Sequence, residues 1–195
     1  MPSLVDPLTR SGIEVGGRGI PHSSEVHDRE FIGNFNSITG WTVLNDDTSG
    51  LATDLSHILG TASLEFDKVD GAGNKTTCGI QCTLSTAVDC SRFIGSDHIE
   101  TAVYVSDLTN VAYALIRLGT DASNYNEWRI DDSAMTAAVW DVLDANLNTC
   151  QVAVEGNGWN PSAITYIFVG IEFDGAANTL ADIRFDHVLI RTAVS

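Results

Sequence analysis

The chain has 195 residues, of which 44% are hydrophobic and 18% are charged, a composition that excludes an intrinsically disordered chain and favours one folded domain. Lys and Arg together number 10 and Asp and Glu 26, so the formal net charge is 10 − 26 = −16. We therefore expect neither nucleic acid nor an anionic membrane surface as a partner, because binding either one needs clustered cations.

Residues 1–30 show no sustained strand or helix periodicity and contain three of the four prolines of the chain. They predict an extended N-terminal arm that becomes ordered on a neighbouring subunit, with a frayed terminus as the alternative. The expected partner contacts of this arm are its apolar residues Leu4, Val5, Ile13 and Ile20.

From Phe31 onward, short apolar alternations are separated by turn signals. The predicted strands are Gly40–Leu44, Ser63–Asp67, Thr77–Thr83, His98–Val105, Val111–Leu118, Glu127–Ile130, Cys150–Glu155, Tyr166–Phe173 and Ala181–Arg191. Nine short strands in one chain predict an all-β fold, an antiparallel jelly-roll β-sandwich over residues 31–195. In Leu64-Glu65-Phe66-Asp67 the apolar residues are expected to face the core and the carboxylates the solvent.

Two local features are less regular than these strands. Asp70-Gly71 followed by Gly73-Asn74 predicts a hairpin turn. Residues Met135–Ala145 fit a helix, because Val139, Trp140 and Leu143 can share one face, and fit a strand with a loop equally well.

No constellation of catalytic residues is evident, so we expect no enzyme. Glycosidases of the laminarinase type carry Glu-x-Asp-x-Glu on one strand, whereas Glu65-Phe66-Asp67 and Glu172-Phe173-Asp174 each lack the third carboxylate. The five histidines have neither H-x-H nor H-E-x-x-H spacing. The four cysteines, Cys78, Cys82, Cys90 and Cys150, lack zinc-site spacing and are expected to be buried thiols, with a disulfide as the alternative.

Aromatic residues in polar company are candidates for glycan binding, because sugar rings stack on flat side chains while amide and carboxylate groups hold their hydroxyls. Trp128 and Trp159, beside Tyr125 and Asn160, are the predicted glycan-binding residues. Trp41 and Trp140 are predicted to fill the core.

Calcium is a further candidate ligand, and we expect no other cofactor. β-Sandwich modules often hold a structural Ca²⁺ with carboxylates and backbone oxygens, and Asp46, Asp47, Asp174 and Asp186 are available for this. No D-x-D-x-D-G loop accompanies them.

The order of GWTVLNDDTSGLATD from Gly40, the GTASLEF strand at 60–66 and the closing IRFDHVLIR at 183–191 resembles jelly-roll modules. Such modules occur as carbohydrate-binding modules and in tailed-bacteriophage virion proteins, including capsid decoration (cement) proteins and tail adhesins. In the closing strand Asp186 is expected to bond a neighbouring loop.

The arm and the acidic surface favour the virion side of this resemblance. It implies a structural decoration protein on the outer capsid surface, made in the host cytoplasm. Its expected partners are the major capsid protein or other virion subunits and its own copies, in a dimer or trimer. A glycan-binding module, or a tail or fibre adhesin that binds a surface glycan, is the alternative.

Overall fold

The structure, a computed structural model, describes residues 28–150, 152–155 and 160–193. Its strands, in chain order, are β1 Arg29–Phe31, β2 Trp41–Val43, β3 Thr48–Asp54, β4 Ser63–Lys68, β5 Thr77–Val88, β6 His98–Tyr104, β7 Val111–Asp121, β8 Asn124–Asp131, β9 Trp140–Asn146, β10 Val152–Glu155, β11 Ile164–Phe173 and β12 Leu180–Arg191. Two 3-10 turns, Asp132–Ala134 and Leu147–Thr149, flank β9. No helix among the described residues is long and apolar enough to cross a membrane.

The strands form two six-stranded antiparallel sheets, which confirms the predicted β-sandwich. The first sheet has the order β3-β4-β12-β6-β9, and β1 also pairs with β12. The second sheet has the order β10-β8-β7-β11-β5-β2. Because side chains alternate along each strand, every sheet has one face toward the shared core and one outer face.

The core between the sheets is built from the inward members of this alternation. Leu64 and Phe66 of the first sheet and Ile116 and Ile167 of the second are fully buried in it. The predicted alternation in β4 is therefore confirmed, since Glu65 on the outer side is free to pair with Arg184.

The chain enters the domain at the edge of β12. β1 pairs with Leu189–Arg191, whereas β4 pairs with residues 180–185 of the same strand. Arg29 and Glu30, assigned to the arm from the sequence, thus form part of the first sheet. Arg92 fixes this entry point through Asp28 and Glu30, at 2.8 and 2.7 Å.

A buried ion pair ties together three segments at one end of the sandwich. Lys68 Nζ donates to Asp47 Oδ1 at 3.0 Å and to the backbone oxygens of Val69 and Ala176 at 2.8 and 2.9 Å. Neither charged side chain is exposed. Burial alone would raise the pKa of Asp47, but the hydrogen bond and charge of Lys68, together with backbone hydrogen bonds from Lys75 and Gly71, outweigh it and hold the pKa below its usual range.

Two local predictions differ from the structure. The predicted hairpin at Asp70-Gly71 is wrong: β4 lies in the first sheet and β5 in the second, so the turn is a crossover between sheets. The Met135–Ala145 segment is resolved in favour of strand and loop, because β9 pairs with β6 along its whole length. β3, β9 and β1 were not among the predicted strands.

Candidate functional site

The outer face of the second sheet carries four aromatic and two basic residues on neighbouring strands. Strand register arranges the residues of β8, β7, β11 and β5 in four rows across the sheet. The rows are Tyr125-Gly119-Tyr166-Thr83, Glu127-Arg117-Phe168-Gln81, Arg129-Leu115-Gly170-Gly79 and Asp131-Tyr113-Glu172-Thr77. We call this set of residues the binding face.

The floor of the binding face is a phenylalanine ring lying over two paired glycines. Gly170 and Gly79 are opposite each other, and a Cβ on either one would stand 2.5 or 2.6 Å from the Phe168 ring. The ring therefore occupies space that any other residue pair would fill. It is fully buried, although it lies on the outer side of its sheet.

Two arginines share one carboxylate on this face, and Arg117 lies over the Phe168 ring. Arg117 Nε donates to Glu127 Oε2 and Arg129 Nε to Glu127 Oε1, both at 2.6 Å. The Glu127 side chain is only 2% exposed, whereas those of Arg117 and Arg129 are 18% and 26% exposed. Glu127 thus fixes both guanidinium groups from below and leaves them facing solvent.

The guanidinium groups also stack on aromatic rings. The Arg117 guanidinium lies 4.7 Å from the ring centre of Phe168 and 4.9 Å from that of Tyr125. The Arg129 guanidinium lies 4.0 Å from the ring centre of Tyr113. Such contacts add to the ion pairs in holding the planar groups in one orientation.

A cleft of about 400 Å³ opens at the first-row end of the binding face. It is lined by polar and small residues and by one tyrosine: Gly40, Thr42, Gln81, Thr83, Thr120, Asp121, Ala122 and Tyr166. The Tyr166 hydroxyl donates to Gln81 Oε1 at 3.2 Å, and burial raises the pKa of Tyr166 to about 12. At physiological pH the hydroxyl is therefore a neutral donor and acceptor.

Of the three predicted glycan-binding residues that the structure describes, only Tyr125 lies on the binding face. The prediction for Trp128 is wrong, because its side chain points inward and is fully buried in the core. Asn160 is exposed and accepts from Ser162 at a turn, and Trp159 lies outside the described residues.

The core prediction for the other two tryptophans holds for Trp41 but not for Trp140. Trp41 is 5% exposed and packs against Phe35, which confirms its core assignment. Trp140 is only half-buried, contacts Tyr104 on the outer side of the first sheet and donates to Ser56, so its core assignment is wrong. The arm residues Leu4, Val5, Ile13 and Ile20 lie outside the described residues.

Two of the four aspartates considered for calcium accept hydrogen bonds from different parts of the protein. Asp47 accepts from Lys68, and Asp186 accepts from the backbone N–H groups of Ile58 and Leu59 at 2.6 Å, which confirms the predicted contact with a loop. In the described part of the chain, no group of three or more His, Cys, Asp or Glu side chains is placed to hold a metal ion.

The cysteines are free thiols, and Cys78, Cys82 and Cys90 are buried as expected, while Cys150 is half-buried. Burial raises the pKa of both Cys78 and Cys90 to about 12. These two thiols stay protonated at physiological pH and behave as small hydrophobic residues.

The main components of the binding face were missed from the sequence: Arg117, Glu127, Arg129, Tyr166 and Phe168. A signal for two of them was present, because alternation from Tyr125 places Glu127 and Arg129 on the same side and Trp128 on the opposite one. Residues 166–173 gave no such signal, since apolar residues occupy both sides of β11.

Comparison with solved structures finds the same architecture in carbohydrate-binding modules. A family 11 module from Clostridium thermocellum, in complex with a β-1,3-1,4-mixed-linked tetrasaccharide, superposes with a TM-score of 0.57 at 9% identity, over 86% of this chain and 97% of that one. The fold is that of carbohydrate-binding modules. A family 30 module gives a TM-score of 0.56 at 11% identity over 86% and 99% of the two chains.

The same fold also occurs within larger proteins. An exo-β-agarase superposes with a TM-score of 0.55 at 13% identity, over 85% of this chain and 24% of that one. No family model and no curated protein matches the sequence. At these identities the likeness is one of fold alone, and nothing in it links the chain to a bacteriophage virion.

Proposed function

We propose that the protein is a glycan-binding module that holds a sugar chain on the binding face without cleaving it. The observation that carries this proposal is the pair of guanidinium groups held over aromatic rings beside a polar cleft. Planar donors that are already oriented lose little entropy when they bind hydroxyl groups, and the sheet offers an open surface for a chain.

The remaining side chains of the binding face suit the same ligand. Gln81, Thr83 and the Tyr166 hydroxyl supply both donors and acceptors at the cleft, as neighbouring sugar hydroxyls require. That a family 11 module of this fold was solved with a tetrasaccharide supports the proposal.

Binding without catalysis is favoured by the state of the central carboxylate. Both oxygens of Glu127 accept from arginine N–H groups and the side chain is only 2% exposed, so the carboxylate is buried beneath the guanidinium groups and out of reach of a ligand on the face. The capsid decoration role, the arm contacts and the homo-oligomer stay predictions from the sequence.

Affinity electrophoresis and calorimetry on a panel of soluble polysaccharides, mixed-linked β-glucan included, test the proposal. We expect at least one to bind, and Arg117→Ala to weaken that binding by about 10-fold or more, because a charge-assisted hydrogen bond is lost.

The matched control is Arg184→Ala. Arg184 also stacks on a tyrosine, Tyr104 at 4.8 Å, and pairs with a glutamate, Glu65 at 2.7 Å, but it lies on the first sheet. The proposal fails if no polysaccharide binds, or if Arg184→Ala weakens binding as much as Arg117→Ala.

A further inference from the structure

We propose that the glycan held on the binding face carries carboxylate groups, as uronic acid units do, and that Arg117 and Arg129 recognise them. This inference rests on the proposed function and names the substrate class of the same site.

The first step concerns the hydrogen-bond donors that remain. Each guanidinium donates its Nε–H to Glu127 and, among the described residues, Arg117 and Arg129 make no hydrogen bond through their terminal Nη atoms. A ligand that covers the two arginines must therefore provide acceptors for their four terminal NH₂ groups. A planar carboxylate accepts two parallel N–H bonds from such a fork, which a single hydroxyl oxygen cannot do.

The second step concerns the rings beneath the arginines. Phe168 is fully buried under Arg117, and Arg129 lies over the Tyr113 ring at 4.0 Å. A sugar ring therefore meets guanidinium groups first at these positions. Recognition in the middle of the binding face must come from charged hydrogen bonds rather than from stacking.

The third step concerns charge. In the first three rows the charged side chains are Arg117, Arg129 and Glu127, which sum to +1 in a chain whose net charge is −16. Glu155 of β10 is in register with Tyr125 of the first row, and the other carboxylates that border these rows lie at the two ends of the face. Asp121 stands at the cleft, and Asp131 and Glu172 flank Tyr113 in the fourth row, where Glu172 accepts from Thr77.

This arrangement places the favourable position for an anion in the centre of the face. Charges farther away than about 8 Å are largely screened at physiological ionic strength, so the acidic remainder of the surface does not cancel the local attraction. The acidic ends would in turn disfavour a second carboxylate there, and so orient the chain.

The experiment compares uronate oligosaccharides with counterparts in which each carboxyl group has been reduced to an alcohol. Oligomers of galacturonate, mannuronate and glucuronate are titrated into the full-length protein by calorimetry at 50 and 300 mM NaCl, beside neutral mixed-linked β-glucan. We expect one uronate series to bind at least 10-fold more tightly than its reduced counterpart, and more weakly at the higher salt.

Conservative variants then test the arginines. Arg117→Lys and Arg129→Lys keep the charge but lose the fork, and we expect each to weaken uronate binding by about 10- to 100-fold. Arg184→Lys is the matched control on the first sheet and should leave binding unchanged. Thermal unfolding of each variant shows that it is folded.

The possible outcomes separate this inference from the proposed function. Binding of neutral glycans with no preference for the uronate over its reduced form overturns the inference and leaves the proposed function standing. Uronate binding that survives both lysine variants also overturns the inference. Absence of binding to every acidic and neutral glycan overturns both.

Discussion

Replacing Lys68 by methionine tests whether the buried ion pair holds one end of the sandwich. Methionine keeps the length and apolar stem of lysine but removes the ammonium group that donates to Asp47, Val69 and Ala176. The variant leaves a carboxylate in the interior without its cation. Breaking a buried pair on one side is strongly destabilising, so Lys68→Met should lower the free energy of unfolding by about 3–5 kcal/mol.

That loss is large compared with a typical domain stability of about 5–15 kcal/mol. For a domain of this size it corresponds to a fall in melting temperature of about 6–20 °C. Urea unfolding followed by tryptophan fluorescence measures the free energy, and differential scanning calorimetry measures the melting temperature.

Two further variants complete this test. Arg92→Met removes an ion pair whose arginine side chain is 40% exposed, and it should lower the melting temperature far less, because exposed pairs are solvent-screened. In the double variant Asp47→Asn/Lys68→Met part of the lost stability should return, since no unpaired charge remains. The reasoning is refuted if Lys68→Met unfolds at the same urea concentration as Arg92→Met, or if the double variant is no more stable than Lys68→Met.

Three other outcomes are expected. Gly170→Ala should lower the free energy of unfolding by about 1–3 kcal/mol and weaken glycan binding, because the added Cβ collides with the Phe168 ring. Denaturation measures the first effect and calorimetry the second, and unchanged values for both contradict the described floor. Trp128→Ala should lower the free energy of unfolding by about 3–5 kcal/mol, because it removes a large core side chain, but should leave the glycan affinity of the folded protein unchanged. A loss of affinity without a loss of stability would show instead that Trp128 is a binding residue. Burial lowers the pKa of His187, but the carboxylates of Asp186 and Glu100 more than offset this, so the pKa is raised above its usual value of 6.5. The stabilisation that the charged ring provides is therefore fully present below pH 6.5 and is lost as the pH rises through the folded-state pKa. The gap in melting temperature between wild type and His187→Asn should therefore shrink from pH 6 to pH 9, and a constant gap would contradict the charged histidine.

The fold could be predicted from the sequence because apolar and polar residues alternate along the amphipathic strands. In β4 the residues Leu64 and Phe66 alternate with carboxylates. In the structure Leu64 and Phe66 are buried, and Glu65 pairs with Arg184 on the outer side of the sheet. β9 could not be assigned in this way. Its apolar residues fit both periods, and only the pairing with β6 decides between them.

The candidate site was harder to predict because some of its residues, Phe168 and Glu127 among them, are buried on the outer side of their strands, where alternation predicts exposed side chains. Phe168 is as buried as any core residue, yet it lies on the outer side of β11. Its burial depends on Gly79, Gly170 and Arg117, which come together only when three strands pair in register. Polar sequence neighbours suggested that Trp128 was exposed, whereas strand alternation turns it inward.

The entry and exit of the folded domain lie side by side, since the Thr192 N–H donates to the Asp28 oxygen at 3.0 Å. Both positions adjoin the first sheet, Asp28 before β1 and Thr192 after β12, whereas the binding face is the outer side of the second. Adjacent chain ends allow a folded domain to be inserted into a surface loop of a host protein, or to be circularly permuted. The folded domain is therefore suited to insertion in engineered fusions.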